Sequence, residues 1–299
     1  MGTIPSAPFS PVPGRVDVRL EIGPFVVRVR SDVRGFEDHL QLFYRDYPRL
    51  PPDEGHFDVA VAGTGGLRRW INPQAMLVAN GAAPFYPLPA PLAGPLMEWG
   101  LNWCIGTRAH RWVVVHSAVI ERRGRVMIMA APPGSGKTTL CAALTYAGWR
   151  LFSDEFALID PDTLQVLPAP RPLSLKNASI ELIQRRHPDV PVSPERIDVE
   201  KARFVHAMPP ADSVRRARET AAPGLVIFPR YAAGRPTSLT RVPKAQALVQ
   251  LADESFNYNY LGAKGYTCLA ELVRRVDCYR LEYSDLDDVL PKLAQLTDD

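Results

Sequence analysis

Ala131-Pro132-Pro133-Gly134-Ser135-Gly136-Lys137-Thr138 sets two glycines, a lysine and a hydroxyl at fixed offsets between an apolar run and a helical pattern. Gly134 and Gly136 can take backbone angles that turn successive N–H groups inward, which makes a concave cradle for an anion. A helix opening at Thr138 adds the positive end of its dipole to that cradle. Lys137 then reaches the outer phosphates of a nucleoside triphosphate, and the Thr138 hydroxyl can ligate Mg2+. Thr139 belongs to the same binding stretch. The spacing is that of a Walker A loop with alanine as its first member, and a small residue still fits the mouth of such a loop. ATP and Mg2+ are therefore the expected ligands. The loop alone does not name an acceptor.

Phosphoryl transfer also needs metal ligands and a group that orients or deprotonates the attacking hydroxyl. Asp154 and Glu155 lie 17 and 18 residues after Lys137, at the predicted tip of the strand following the loop's helix. Carboxylates beside a phosphate loop sit at such strand tips in an open α/β sheet. His116 stands 21 residues before Lys137, at the end of an apolar run of three valines. A lone histidine in an apolar run is ordinarily a packed core residue. Its distance from the loop and the acidic pair is what makes it a candidate.

A histidine, a strand–turn–strand, a phosphate loop and an acidic pair in this order resemble the catalytic core of the HPr kinase/phosphorylase family. The chain most resembles the HPr-kinase-related kinases, which share this core without the rest of the bacterial HPr kinase sequence. The resemblance covers residues 112–160. It implies an α/β fold with a P-loop kinase core of the HPr kinase C-terminal type. It further implies that Asp154 acts as acid/base on a serine hydroxyl, that Glu155 helps to hold Mg2+, and that His116 supports the site near Asp154 and the phosphates. Lys137 joins Asp154 and His116 as a catalytic candidate, and Thr138 and Glu155 are the candidate metal ligands. A protein or peptide substrate is implied as well, and the family's habit of assembling leaves a homo-oligomer open. Three positions depart from the family: His116-Ser117 stands for His-Gly, Asp154-Glu155 for Asp-Asp, and Ala131 for the first glycine. The stretch from Pro170 to Asn177 falls where the family carries its phosphorylase and HPr-docking segment but reads differently. Kinase chemistry is thus supported, while phosphorylase activity and HPr as acceptor stay open.

The elements that must position these residues follow from patterning. Trp112–Val115 and Ser117–Ile120 are apolar runs flanking His116, and Val126–Ala130 suits a strand buried on both faces. Thr138–Ala147 reads as a helix with Gly148 at its stop. Phe156–Ile159 and Leu225–Phe228 read as further strands, and the alternation of strands and helices favours an α/β sheet. Upstream, Val16–Val29 reads as a hairpin or two adjacent strands, Phe36–Tyr44 as a short helix and Phe57–Ala62 as a strand. Ala82–Pro95 is proline-rich and reads as a connector before a helical segment at Leu96–Ile105. The expected organisation is a disordered arm at 1–14, an α+β region at 15–100 and a catalytic domain at 101–299.

Composition narrows the classes. Of 299 residues, 46% are hydrophobic and 22% charged, which excludes a disordered chain and suits a soluble protein. A net charge of +3 is too small to argue for nucleic acid. No apolar segment approaches the roughly 20 residues that span a bilayer, and the start of the chain lacks the pattern of a secretory signal. Gly2 and Ser6 fit the bare myristoylation pattern, although Pro5 and Pro8 favour a plain leader. Four cysteines without a CxxC pair point to reduced thiols in the cytoplasm. Arg171, Lys176 and Arg230 are weaker candidates for neutralising phosphoryl charge, and Arg185-Arg186 with Arg215, Arg216 and Arg218 read as solvated charge. Phe256 to Gly262 reads as a segment packed on the sheet, or else as a groove lining. Three functions compete: a kinase of a serine in a protein or peptide, a small-molecule kinase, and a P-loop regulatory ATPase without phosphotransfer.

Overall fold

Alternation decides the first strands. Phe25–Ser31 (β2) buries every second side chain, and Val16–Ile22 (β1) precedes it across a turn in which Gly23 takes a φ of 56°. The computed structural model describes residues 16–51, 55–65 and 68–298, so the arm expected at 1–14 and the Gly2/Ser6 pattern lie outside it. The described residues form a mixed α/β chain that divides into two units, 16–21 with 25–104 and 22–24 with 105–298.

In the first unit, β1 and β2 are followed by α1 (Phe36–Phe43), β3 (Phe57–Gly63), α2 (Arg68–Ile71), β4 (Gln74–Ala79), β5 (Leu88–Pro89) and α3 (Ala93–Arg108), whose last turn, from Ile105, belongs to the second unit. Among the described residues the strands make one five-stranded sheet in the order β1-β2-β3-β4-β5, with β2 and β3 parallel and β3, β4 and β5 antiparallel. The connector expected at Ala82–Pro95 is shorter than the sequence suggests. It contains β5, and α3 starts at Ala93 rather than Leu96. Pro95 is no obstacle there, because N–H groups of a first helical turn have no intrahelical partner to lose.

The second unit continues with β6 (Val113–Arg122), β7 (Arg125–Ala130), α4 (Lys137–Tyr146), β8 (Arg150–Ser153), β9 (Phe156–Ile159) and β10 (Val166–Leu167). Next come β11 (Leu173–Lys176), α5 (Ala178–Arg186), β12 (Arg196–Ile197), β13 (Arg203–Ala207), α6 (Ala211–Arg215) and β14 (Ala222–Tyr231). The chain closes with β15 (Ser238–Arg241), α7 (Lys244–Asp253), α8 (Tyr258–Leu261), α9 (Ala263–Arg275), β16 (Asp277–Tyr283) and α10 (Leu286–Asp298). Among the described residues the main sheet runs β10-β9-β6-β7-β14-β16-β15, with β8 also on β6, and β11-β13-β12 form a small antiparallel sheet. Only β7, β14 and β16 pair in parallel within the main sheet. The α/β class is therefore met by mixed sheets.

Both faces of the main sheet are covered, which is why β7 reads as an unbroken apolar run. Leu140 and Leu144 of α4, with Ile183 of α5 and Val289 of α10, pack on the face presented by Ala118, Ile120 and Met129. Leu251 of α7, with Leu269 and Leu272 of α9, covers the face presented by Val113, Val115 and Val119. A buried ion pair, Arg150 Nε to Glu121 Oε2 at 2.5 Å, ties β8 to the end of β6. Among the described residues no helix is long and apolar enough to cross a membrane.

Candidate functional site

The loop Ala131–Gly136 joins the buried end of β7 to α4. Gly134 and Gly136 take φ values of 81° and 87°, in the left-handed region that favours glycine. Two neighbours brace the underside: the Tyr231 N–H donates to the Ser135 carbonyl at 2.8 Å, and the Tyr283 hydroxyl donates to the Gly136 carbonyl at 2.8 Å. A β-carbon on Gly136 would lie 2.5 Å from Tyr283 Oη and 2.9 Å from Tyr231 Cβ, whereas one on Gly134 would meet nothing within 4 Å. Pro132, Pro133 and Gly134 are exposed at the tip. Ser135 Oγ is buried without a hydrogen-bond partner.

Lys137 opens α4 and is buried. Its Nζ lies 2.9 Å from His116 Nε2 and donates to the Ala131 carbonyl at 3.2 Å. Burial holds its pKa below the ordinary lysine value, and the charges of Asp154, Glu155 and Glu254 oppose that shift. His116 is not at a strand end, as its sequence context suggests. The two flanking runs are one ten-residue strand, β6, and His116 sits within it. The strand does not break there because both edges are paired: His116 is in register with Phe156 of β9, and its backbone N–H donates to the Glu254 carbonyl at 2.8 Å. The ring's Nδ1 lies 3.2 Å from Glu254 Oε2. Burial and the neighbouring Lys137 charge lower the histidine's pKa, opposed by Glu155 and Glu254.

Asp154 and Glu155 directly follow Ser153, the last residue of β8, at the strand tip the sequence suggests, in the turn before β9. β9 and the end of β8 pair with β6 in one register, from Val113↔Ile159 to Val119↔Ser153, and the Ser117 N–H donates to the Glu155 carbonyl at 3.1 Å. The acidic pair is thus held alongside the middle of β6. The register shifts only beyond it, between Val119 and Ile120, the kind of irregularity that re-aims side chains near active sites. Asp154 is buried, and neither of its carboxylate oxygens has a hydrogen-bond partner. Burial, with the Glu155 charge second, pushes its pKa up to about 8, while Lys137, Thr138 and Cys141 pull the other way. Cys141, buried beneath it on α4, has its own thiol pushed up by burial and by Asp154.

His116, Lys137, Thr138, Asp154 and Glu155 are therefore brought together, and the loop residues Ala131 to Thr139 lie beside them. The cradle and the unpartnered Ser135 hydroxyl fit a bound nucleotide phosphate, and the unpartnered Asp154 carboxylate keeps its acceptor capacity for a donor such as a substrate hydroxyl. Among the described residues no group of three or more His, Cys, Asp or Glu side chains could hold a metal ion. A Thr138 hydroxyl with nearby carboxylates still fits Mg2+, which keeps several waters and takes substrate phosphates as ligands.

The weaker candidates are engaged elsewhere. Lys176 donates to Asp198 at 2.9 Å, and exposed Arg230 to Glu282 at 3.3 Å. Arg171 is buried. Arg186 pairs with Asp287 and Arg215 with Asp212, as solvated charge does. Of the Phe256–Gly262 segment, Asn257 is buried and its Oδ1 accepts from the Val114 N–H at 2.9 Å, while Phe256 is half exposed with its ring 6.1 Å from that of His116. Sequence reasoning missed Tyr231, Tyr283 and Glu254. None lies within a motif, and Glu254 is 138 residues from His116. Compared with known proteins, the chain matches no protein-family model and no curated protein sequence.

Proposed function

We propose that this chain is an ATP- and Mg2+-dependent phosphotransferase whose second unit is a P-loop kinase core of the HPr kinase type, acting on a serine hydroxyl of a protein or peptide. The observation that carries this reading is Asp154, a buried carboxylate without a hydrogen-bond partner, close to the head of the helix that follows the glycine loop. A general base works best with a pKa near the working pH, and burial pushes that of Asp154 to about 8. Its carboxylate would take the proton of the attacking hydroxyl. Lys137 would hold the outer phosphates, and the N–H groups around Gly134 and Gly136 the inner ones. His116, bonded to Lys137 Nζ, would keep that ammonium aligned. Thr138 and Glu155 would hold Mg2+, which when bound neutralises phosphate charge. Catalysis of this kind is mostly positioning and charge neutralisation.

The test is transfer of label from ATP with Mg2+ to cell-extract proteins and metabolites, with the wild type beside Asp154→Asn and Lys137→Ala. The expected result is label on one discrete protein or peptide that disappears with both variants, while Asp154→Asn still binds ATP. Label on a low-molecular-weight metabolite would instead establish a small-molecule kinase. Nucleotide binding without transfer to any acceptor would sink the kinase reading in favour of a nucleotide-dependent switch.

A further inference from the structure

We infer that Glu254 is the positioning residue that fixes the tautomer of His116, and through it the place of the Lys137 ammonium. The inference rests on the kinase reading for its consequence in turnover, but its geometry stands without it. A lysine ammonium offers donors and no acceptor. With Lys137 Nζ 2.9 Å away, His116 Nε2 must present its lone pair, so the neutral ring carries its proton on Nδ1. That N–H faces Glu254 Oε2 at 3.2 Å, and the carboxylate accepts it. A proton on Nε2 instead would set donor against donor and turn Lys137 away from the ring. A carboxylate that selects the tautomer of a working histidine is an established device. Here it comes from a residue just beyond α7.

The charged groups facing His116 are Lys137 from α4, Glu155 from the turn between β8 and β9, and Glu254. Of these carboxylates, Glu254 is the one bonded to the ring. Its seat does not depend on its own side chain. The Glu254 carbonyl accepts from the His116 N–H, the Phe256 N–H donates to the Val114 carbonyl at 2.9 Å, and Asn257 Nδ2 donates to the Trp112 carbonyl at 2.8 Å. Residues 254–257 therefore lie along the first half of β6 through their backbone and Asn257. A side-chain substitution at Glu254 leaves that docking in place, so the tautomer can be probed without unmaking the sheet.

The test compares wild type, Glu254→Gln and Glu254→Leu by the 15N resonances of the His116 ring in the free protein, with thermal unfolding as control. The wild type is expected to carry Nδ1–H with an unprotonated Nε2. Glu254→Leu is expected to lose that tautomer at unchanged melting temperature, and Glu254→Gln, which keeps an acceptor oxygen, to retain it in part. In turnover, Glu254→Leu is expected to lower kcat about tenfold or more, the scale of losing a bond in a charged network, with KM for ATP nearly unchanged. Glu254→Gln should fall between the two. The same Nδ1–H signal in Glu254→Leu, or a loss that simply tracks unfolding, would overturn the inference. Absence of phosphotransfer in the wild type would count against the kinase reading alone, because the ring resonances are read without turnover.

Discussion

Asp154 is held in a state that works against folding. Its carboxyl pKa rises from an ordinary 3.8 to about 8, so the native protein binds that proton more tightly than the unfolded chain does. Stability must then fall as pH climbs from about 4 to about 8, and the whole penalty stands above that window. Every tenfold difference in proton affinity between the folded and unfolded chain is worth roughly 1.4 kcal/mol. In the absence of nucleotide and Mg2+, Asp154→Asn is expected to be more stable than the wild type by up to a few kcal/mol at about pH 8.5. That gain should shrink toward zero near about pH 4, as denaturant unfolding across the range will show. A difference that ignores pH would mean the carboxylate is not its source. Stabilisation on removing a functional group is the usual mark of a site built for activity rather than for folding.

The loop between β7 and α4 makes a sharper prediction, because its two glycines are needed for different reasons. Gly134→Ala meets only the strain of a left-handed backbone, about 1–2 kcal/mol, since nothing lies within 4 Å of the added carbon. Gly136→Ala meets the same strain and drives its carbon into Tyr283 and Tyr231, the residues that brace the loop. Nucleotide binding measured by calorimetry should therefore weaken modestly for Gly134→Ala and by well over tenfold for Gly136→Ala; equal losses would count against the brace. Local pattern made these elements legible. The apolar run of β7, the glycines and the helix after them are contiguous, and each obeys a short-range rule. β6 was only half legible, since its continuity through His116 depends on two partners, Phe156 and Glu254, that no local window contains. β4 escaped for another reason: Gln74-Ala-Met-Leu-Val-Ala is apolar on both faces after its first residue and shows no period of two. The tyrosines at the ends of β14 and β16 are likewise neighbours of the loop only through the order of the sheet.

At the scale of the molecule, the α/β class could be read from the alternation of strands and helices, but the order of the main sheet could not. Three antiparallel pairings converge on β6, and the candidate residues gather around it: His116 within it, the phosphate loop after β7, and Asp154 and Glu155 between β8 and β9. The unit of residues 22–24 and 105–298 thus gathers its candidate site from four stretches, of which the sequence revealed three. The burial of the cysteines has a separate consequence. Cys104 belongs to one unit and Cys141, Cys268 and Cys278 to the other, and all four are buried as free thiols. Burial also disfavours the reactive thiolate, pushing Cys268 up to about 12 and raising Cys141 and Cys278. Alkylating reagents should therefore find the native protein inert and modify each thiol only when its surroundings open. Timed labelling followed by peptide mass spectrometry is expected to give one rate for Cys104 and a shared rate for the other three. The protein carries, in its own composition, separate clocks for the opening of its two halves.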